Sequence, residues 1–473
     1  MSFLSSLFEE PKAKVKVQRW PLDTPLLTFG SDPWRIRDSF SGLAIFGQTG
    51  SAKTSASGRL VAHKFLKAGY GGLVCCSKKS EAALWRKYLK ETGREADGRF
   101  FSVDGDLRFN FIEEEARISD IDFVENLVHL LVDIAGVKKS GEGTTNASYW
   151  ILERAKLVRN ALSLLLLAKQ PVELRSIYNL IDSAPRTPQE FQDRTWREKS
   201  YLFQMLTQAH SLNGDHDEFG LVETYFRAER VGVHSGTAGT VISEFTGSFD
   251  GLRRGKQGQL FGTTTNIRPE DILDKGLVIV VDIPIEVWKQ SGTLANVIWT
   301  QMFQRAVDRR DFIPGESRPV FLWQDEGHRM TLESDADFAS GARSKGLASV
   351  KICQGLPAWL DAFGSQGKHK VDALLAAHTT KFFHRNDCGV TNEWSAKLIA
   401  KETASKISVS KTGQSPVSTS VSQIDEDSCP PKEFLNLKTG GPENRFVSEA
   451  VIFESGRLWQ KDRRWTVGRF SQK

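Results

Sequence analysis

Cysteine is scarce in this chain: there are five in 473 residues, Cys75, Cys76, Cys353, Cys388 and Cys429. None forms a C-x-x-C pair, and Cys75–Cys76 lie side by side in an apolar run. That excludes a disulfide scaffold and leaves no thiol metal cluster or redox pair; the five read as buried thiols of a reducing compartment. Long hydrophobic runs are missing too. The greasiest stretch, Ala161–Ala168, is closed off by Arg159 and Lys169, well short of the ~20 apolar residues a membrane span needs. Near the start, Glu9 and Glu10 stand where a secretory signal would carry bases and an apolar core. A surplus of one charge is also lacking, with 63 basic against 58 acidic residues. A net charge of +5 neither demands nor excludes a nucleic-acid partner. No internal repeat is present.

What is there is the balance of a soluble globular protein, 40% hydrophobic and 26% charged, with enough length for two or three domains. Residues 1–41, interrupted by Pro11, Pro21, Pro25 and Pro33, read as an N-terminal arm or short β-structure. From Gly42 short apolar runs recur: Leu43–Phe46, Leu73–Cys76, Phe100–Val103, Leu277–Asp282, Val320–Trp323, Ser349–Cys353 and Lys381–His384. Fully apolar strands alternating with helical patterns such as Ser80–Thr92 predict an α/β fold with a largely parallel sheet covered on both faces. The alternation breaks between about Ile112 and Thr240. There Asp120–Ala135, Tyr149–Ala168, Pro171–Leu180 and Glu190–Ala209 carry helical spacing. This predicts an all-α domain, 113–239, inserted between two parts of the sheet domain, 42–112 and 240–473. Val137–Asn146 has the composition of a mobile loop. Glu402–Ser428, dense in Ser, Thr, Lys and Asp, has that of a flexible loop or an exposed hairpin.

The strongest chemical signal is Gly47-Gln48-Thr49-Gly50-Ser51-Ala52-Lys53-Thr54, a glycine-bearing loop between the strand Leu43–Phe46 and a helical segment opening at Ser55. In such a loop successive backbone N–H groups surround a β-phosphate, aided by the positive end of the following helix. Lys53 would reach the β- and γ-phosphates of ATP, and the Thr54 hydroxyl would hold Mg2+. Residues 47–55 are the nucleotide-binding candidates. The departure from the motif is Ala52, where glycine is expected; alanine keeps the N–H and adds one methyl.

The apolar run Val320–Gln324 delivers two acids, Asp325 and Glu326, at its C-terminal end. Asp325 suits the metal shell and Glu326 the polarisation of an attacking water. Gln324 interrupts the apolar run just before them. Arg343 lies seventeen residues after Glu326, and Gln354 ends the next strand, Ser349–Cys353. A glutamine at that place can sense a γ-phosphate, and an arginine on a subunit edge can enter a neighbour's site.

In this order the features resemble the type IV coupling proteins, motor ATPases of bacterial conjugation and type IV secretion in the RecA-like FtsK/HerA superfamily. The resemblance runs from about Leu27 to near the C-terminus. It rests on FGQTGSAKTS at Phe46–Ser55, DGDLRFNFI at Asp104–Ile112, NASYWILERAKLVRNALSLLL at Asn146–Leu166 and GLVIVVDIP at Gly276–Pro284. It continues through WQDEGHRM at Trp323–Met330, ARSKGLASVKICQGLPAWLDAFG at Ala342–Gly364 and PPKEFLNLKTGG at Pro430–Gly441. It implies a RecA-like P-loop ATPase domain, a homo-hexameric ring with ATP sites between subunits, a central channel for DNA, and an all-α domain that meets the relaxosome or other secretion-apparatus proteins. Arg343 matches the family's arginine acting in trans, and Gln354 its glutamine coupling nucleotide state to motion.

Typical members carry N-terminal transmembrane helices, which this sequence lacks. Three accounts stay open: an anchor removed, a separate membrane anchor as partner, or work away from the membrane. The expectation is a cytoplasmic chain, at most recruited to the inner face of the membrane. Arg227–Arg230, Arg253, Arg254 and Lys256 form a modestly basic, glycine-rich stretch that could track phosphates of single- or double-stranded DNA. Other readings are a different FtsK/HerA-type DNA translocase, in phage packaging or defence, a protein-secretion coupling ATPase, and a nucleotide-gated docking platform with little turnover.

Overall fold

Parallel strands buried on both faces must be nearly all apolar, and the runs that meet this condition become the centre of a single sheet. The computed structural model describes residues 19–118, 123–136, 147–214, 216–232, 235–262, 264–364, 367–410 and 418–473; the expected loop Val137–Asn146 lies outside them. Thirteen strands are found among these residues: β1 (Pro25–Phe29), β2 (Asp32–Arg35), β3 (Leu43–Phe46), β4 (Gly71–Cys75), β5 (Gly98–Ser102), β6 (Val278–Asp282), β7 (Val320–Asp325), β8 (Leu347–Cys353), β9 (Thr380–His384), β10 (Lys401–Ser410), β11 (Ser418–Asp427), β12 (Val447–Glu454) and β13 (Trp465–Ser471).

Nine of them form one sheet in the order β13-β12-β9-β3-β8-β7-β4-β6-β5. From β5 to β9 every pairing is parallel, while β12 and β13 close the far edge antiparallel. One strand, β8, separates β3 from β7. The C-terminal ends of β3, β8 and β7 therefore lie next to one another on one edge of the sheet, where open α/β sheets bind ligands.

One face of the sheet is covered by an aromatic stack. Tyr70 lies flat on Phe65 (centroids 4.7 Å), Phe65 on Phe321 (5.7 Å) and Phe321 on Trp85 (5.6 Å), and Trp85 meets Trp323 edge-on at 5.4 Å. Gly72 pairs with Phe321 across β4 and β7, and a Cβ there would stand 2.1 Å from the Phe321 ring. Glycine leaves that ring its room.

The described part of 1–41 is short β-structure joined to this core. Trp34 is fully buried and donates from Nε1 to Thr380 Oγ1 (3.3 Å), and Phe29 meets Phe382, Trp459 and Phe470 edge-on.

Between β5 and β6 the described residues hold helices and no strand. The longest are Phe123–Gly136, Ala147–Leu167, Tyr201–Asn213 and Ser235–Arg253; the boundary expected at residue 240 falls inside the last. The single helix expected over Glu190–Ala209 is broken into Glu190–Gln192, Arg194–Lys199 and Tyr201–Asn213. Asp193 and Ser200 take extended backbone and cap the two later pieces, accepting from Thr195 N (2.8 Å) and Phe203 N (3.2 Å). Such caps satisfy N–H groups that a continuous helix would leave to its preceding turn. The helices join the sheet through the helix Ile285–Arg309 that follows β6. Its Arg305 and Arg309 pair with the fully buried Glu115 at 3.1 and 3.7 Å. One apolar cluster runs from Leu73 and Ile279 through Trp299 to Leu162 and Leu206.

The stretch 402–428, expected as a flexible loop or exposed hairpin, contributes β10 and β11, an antiparallel pair from Lys401↔Asp427 to Ser410↔Ser418. Ile407 and Val421 face each other on it and are exposed. Among the described residues no helix is long and apolar enough to cross a membrane.

Candidate nucleotide-binding site

The loop after β3 owes its shape to three small residues. Gly50 takes φ +83°, and Ala52 takes φ +64°, a left-handed conformation that L residues avoid. Gly47 is required by close approach: a Cβ there would lie 2.5 Å from Ser51 Oγ and 2.7 Å from His384 Cβ. The chain then makes a π-turn over Thr54–Gly58 before the helix Arg59–Lys67. Thr49 and Gly50 are exposed, while Ser51 and Lys53 are buried. Gln48 ties the loop to the end of β9, its N–H donating to Arg385 O and its Oε1 accepting from Asp387 N, both at 3.1 Å. Ser55 is exposed and accepts from Gln472 Nε2 (2.9 Å).

The two acids reach this loop across the intervening strand. Strands spaced about 4.8 Å apart put β7 roughly 10 Å from β3, and the side chains close the gap: Thr54 Oγ1 donates to Asp325 Oδ2 at 2.9 Å. Asp325 and Glu326 are both buried. Glu326 stands just past β7 at φ +53°, and its N–H donates to Asp325 Oδ1 (2.9 Å). Burial works to raise the Glu326 carboxyl, but the ammonium groups of Lys78 and then Lys53 outweigh it and hold the group below its ordinary value. Gln324, which interrupts the apolar run, is fully buried without being a flaw. It donates to Thr300 Oγ1 (3.3 Å) and accepts from Lys351, its cross-strand partner on β8.

Gln354 is exposed directly after β8. Since Cys353 pairs with Phe46 and Ile352 with Asp325, it emerges between the phosphate loop and the acids. Arg343 is not brought to them. It is exposed in the turn Ala342–Lys345 that precedes β8, at the opposite end of that strand. The basic residues singled out near 227–256 form no free stripe, because each has a partner. Arg227 pairs with Glu223, Arg253 and Arg254 with Asp250, and Lys256 with Asp104. Arg230 is buried and donates to Pro185 O (2.6 Å).

Two residues at the site escape a motif search. His384, at the end of β9, is fully buried behind the loop, 2.7 Å from Ser57 Oγ and 3.2 Å from Ser448 Oγ. Ser448 in turn donates to Ser51 O (3.1 Å). Burial, with the Lys53 charge, pushes the His384 imidazole down to about 3, so it supports the loop as a neutral group. Lys78, three residues past β4, lies 3.2 Å from Glu326 Oε1 and 4.0 Å from Asp325 Oδ2. The one signal for it is position: it follows closely on an apolar strand at the ligand-binding edge.

No protein-family model matches the sequence, and no curated protein sequence matches it. Solved structures share its fold. The bacterial conjugative coupling protein TrwBΔN70, in an unbound form, superposes with a TM-score of 0.64 at 15% identity, over 95% of this chain and 89% of that one. The plasmid coupling protein TrwB in complex with ADP and Mg2+ gives 0.62 at 14% identity, over 97% and 91%. The same protein with a non-hydrolysable ATP analogue gives 0.61 at 15%, over 95% and 89%. The RecA-like α/β architecture with helices between its strands, expected from the sequence, is the fold observed.

Proposed function

We propose that this chain, which shares the fold of conjugative coupling proteins, is a P-loop ATPase of the type IV coupling family that spends ATP on moving DNA. The observation that carries the reading is the 2.9 Å bond between Thr54 and Asp325, a hydroxyl and a carboxylate delivered by two strands with a third between them. Both are hard oxygen donors of the kind Mg2+ takes, one or two protein ligands being its habit beside substrate phosphates and water. The metal would neutralise charge developing on the phosphates. Lys53 would bind the β- and γ-phosphates, and Glu326, kept ionised, would orient the attacking water and take its proton as the bond to ADP breaks. Gln354, exposed at the end of β8, would sense the γ-phosphate, and Arg343 would serve a neighbouring subunit.

The cargo is read as DNA, delivered with relaxosome or secretion-apparatus proteins to a hexameric ring, because conjugative coupling proteins are among the solved structures that share this fold. One observation favours a second reading, the docking platform of low turnover: Ala52 occupies a backbone conformation suited to glycine.

Steady-state ATP hydrolysis with and without single- and double-stranded DNA, beside Lys53→Ala, tests both. DNA-stimulated turnover lost in Lys53→Ala supports the motor. Normal nucleotide binding with negligible turnover under every condition supports the platform.

A further inference from the structure

We infer that Lys78 is the positioning residue for Glu326, fixing the carboxylate that orients the attacking water; this rests on the ATPase reading above. Glu326 stands outside the strand at φ +53°, and a glutamate side chain has three torsions of its own, so the backbone alone does not aim its carboxylate. Among the described residues the hydrogen bond to that carboxylate comes from Lys78 Nζ, at 3.2 Å. His328 Nδ1 stands 3.8 Å from the other oxygen, beyond hydrogen-bond reach.

The loop that presents Lys78 is itself built. Ser77 N–H donates to Glu81 Oε2 (2.8 Å), and Ser77 O accepts from Glu286 N (2.8 Å). Lys79 N–H donates to Glu286 Oε2 (3.1 Å), and Arg329, three residues past Glu326, reaches back to Ser77 Oγ (3.3 Å). Residues on both sides of Lys78 are thus pinned by the helix Glu81–Glu91, by the first turn of Ile285–Arg309 and by the turn that carries Glu326. A cation held by its neighbours rather than by its own burial presents a fixed charge while its head stays hydrated, the Lys78 side chain being 42% exposed. A surface lysine pairing by chance would not need a loop tied at four points.

A lysine that bound phosphate directly would act on nucleotide affinity; one that aims Glu326 acts on turnover. The experiment compares the full chain with Lys78→Met, Lys78→Arg, Glu326→Gln and the double variant Lys78→Met/Glu326→Gln. Lys78→Met is expected to lower kcat roughly 10- to 100-fold, the cost of a misplaced group, with KM for ATP and affinity for ADP nearly unchanged. Lys78→Arg should recover much of the loss, and the double variant should be no slower than Glu326→Gln alone. Losses that multiply in the double variant, or a fall in nucleotide affinity at unchanged kcat, would overturn the assignment. Turnover insensitive to Lys53→Ala would instead sink the ATPase reading. The pair is then still read from melting temperatures of the same proteins without nucleotide. The double variant should lose less than the two single variants together, and additive shifts would refute the pairing.

Discussion

Ala52 departs from the phosphate-loop motif at one residue and still offers the backbone N–H that the motif uses. The sequence makes the departure from glycine plain, and the added methyl looks like the whole cost. The structure places the cost elsewhere: φ +64° is a left-handed conformation worth about 1–2 kcal/mol against an L residue, set by how the loop closes onto the helix. The methyl meanwhile packs against the aromatic side of the sheet. Ala52→Gly is therefore expected to raise stability by up to about 1 kcal/mol, the strain relieved less the entropy glycine costs. Urea denaturation checks this, and a loss of stability would show the methyl's packing to dominate. Lys78 and His384 were not legible for a different reason. Each is an ordinary residue type beside no recognisable motif, and each earns its place through a partner 248 or 327 residues away in sequence.

Among the elements, the strands were the most legible part of the fold. A strand covered on both faces has few polar positions to blur its outline, Gln324, Lys351 and Lys381 among them, so β3 to β9 each coincide with an apolar run within a few residues. The helix predicted over Glu190–Ala209 was less legible, since periodicity continues across Ser200 while the cap that breaks it depends on contact with Ser183. Folding suppresses charge at strand β9 in a way its sequence hides. Burial pushes His384, and His378 just before the strand, down to about 3, and Lys381 down to about 8. In the unfolded chain the histidines take up protons near pH 6.5, whereas in the folded chain they do so only near 3. The unfolded state thus binds more protons over that window, and stability falls as pH drops from about 6.5 towards 3, by up to about 1.4 kcal/mol per unit for each histidine. Lys381 works at the other end, adding stability as pH rises from about 8 towards 10.5. Urea midpoints at pH 7, 6 and 5 should decline; a flat profile would mean the buried imidazoles take up protons as they do in the unfolded chain.

At the scale of the whole molecule, the order of chemistry along the chain foretold a largely parallel sheet with the phosphate loop and the acids at strand ends, but neither the strand order nor the pairing between charges. The cations at 227–256 look free in sequence, but in space Arg227, Arg253, Arg254 and Lys256 each pair with an acid, Arg253 and Arg254 sharing Asp250. Arg343 and Gln354 bracket β8, a strand about 23 Å long at its seven residues, so a subunit cannot bring this arginine to its own phosphate loop. Mixing Arg343→Ala chains into wild type should depress turnover more steeply than the fraction of variant added, and a strictly proportional fall would remove the proposed action on a neighbour. The aromatic stack beneath the site has an optical side. Trp323 lies two residues before Asp325 and stands nearly perpendicular to Trp85, with centroids 5.4 Å apart. Two indoles this close couple their electronic transitions, and the coupling varies with their separation and angle. The strand that presents the acids thus shares a chromophore pair with the helix Glu81–Glu91, and a displacement of β7 against that helix would register in circular dichroism with no label attached.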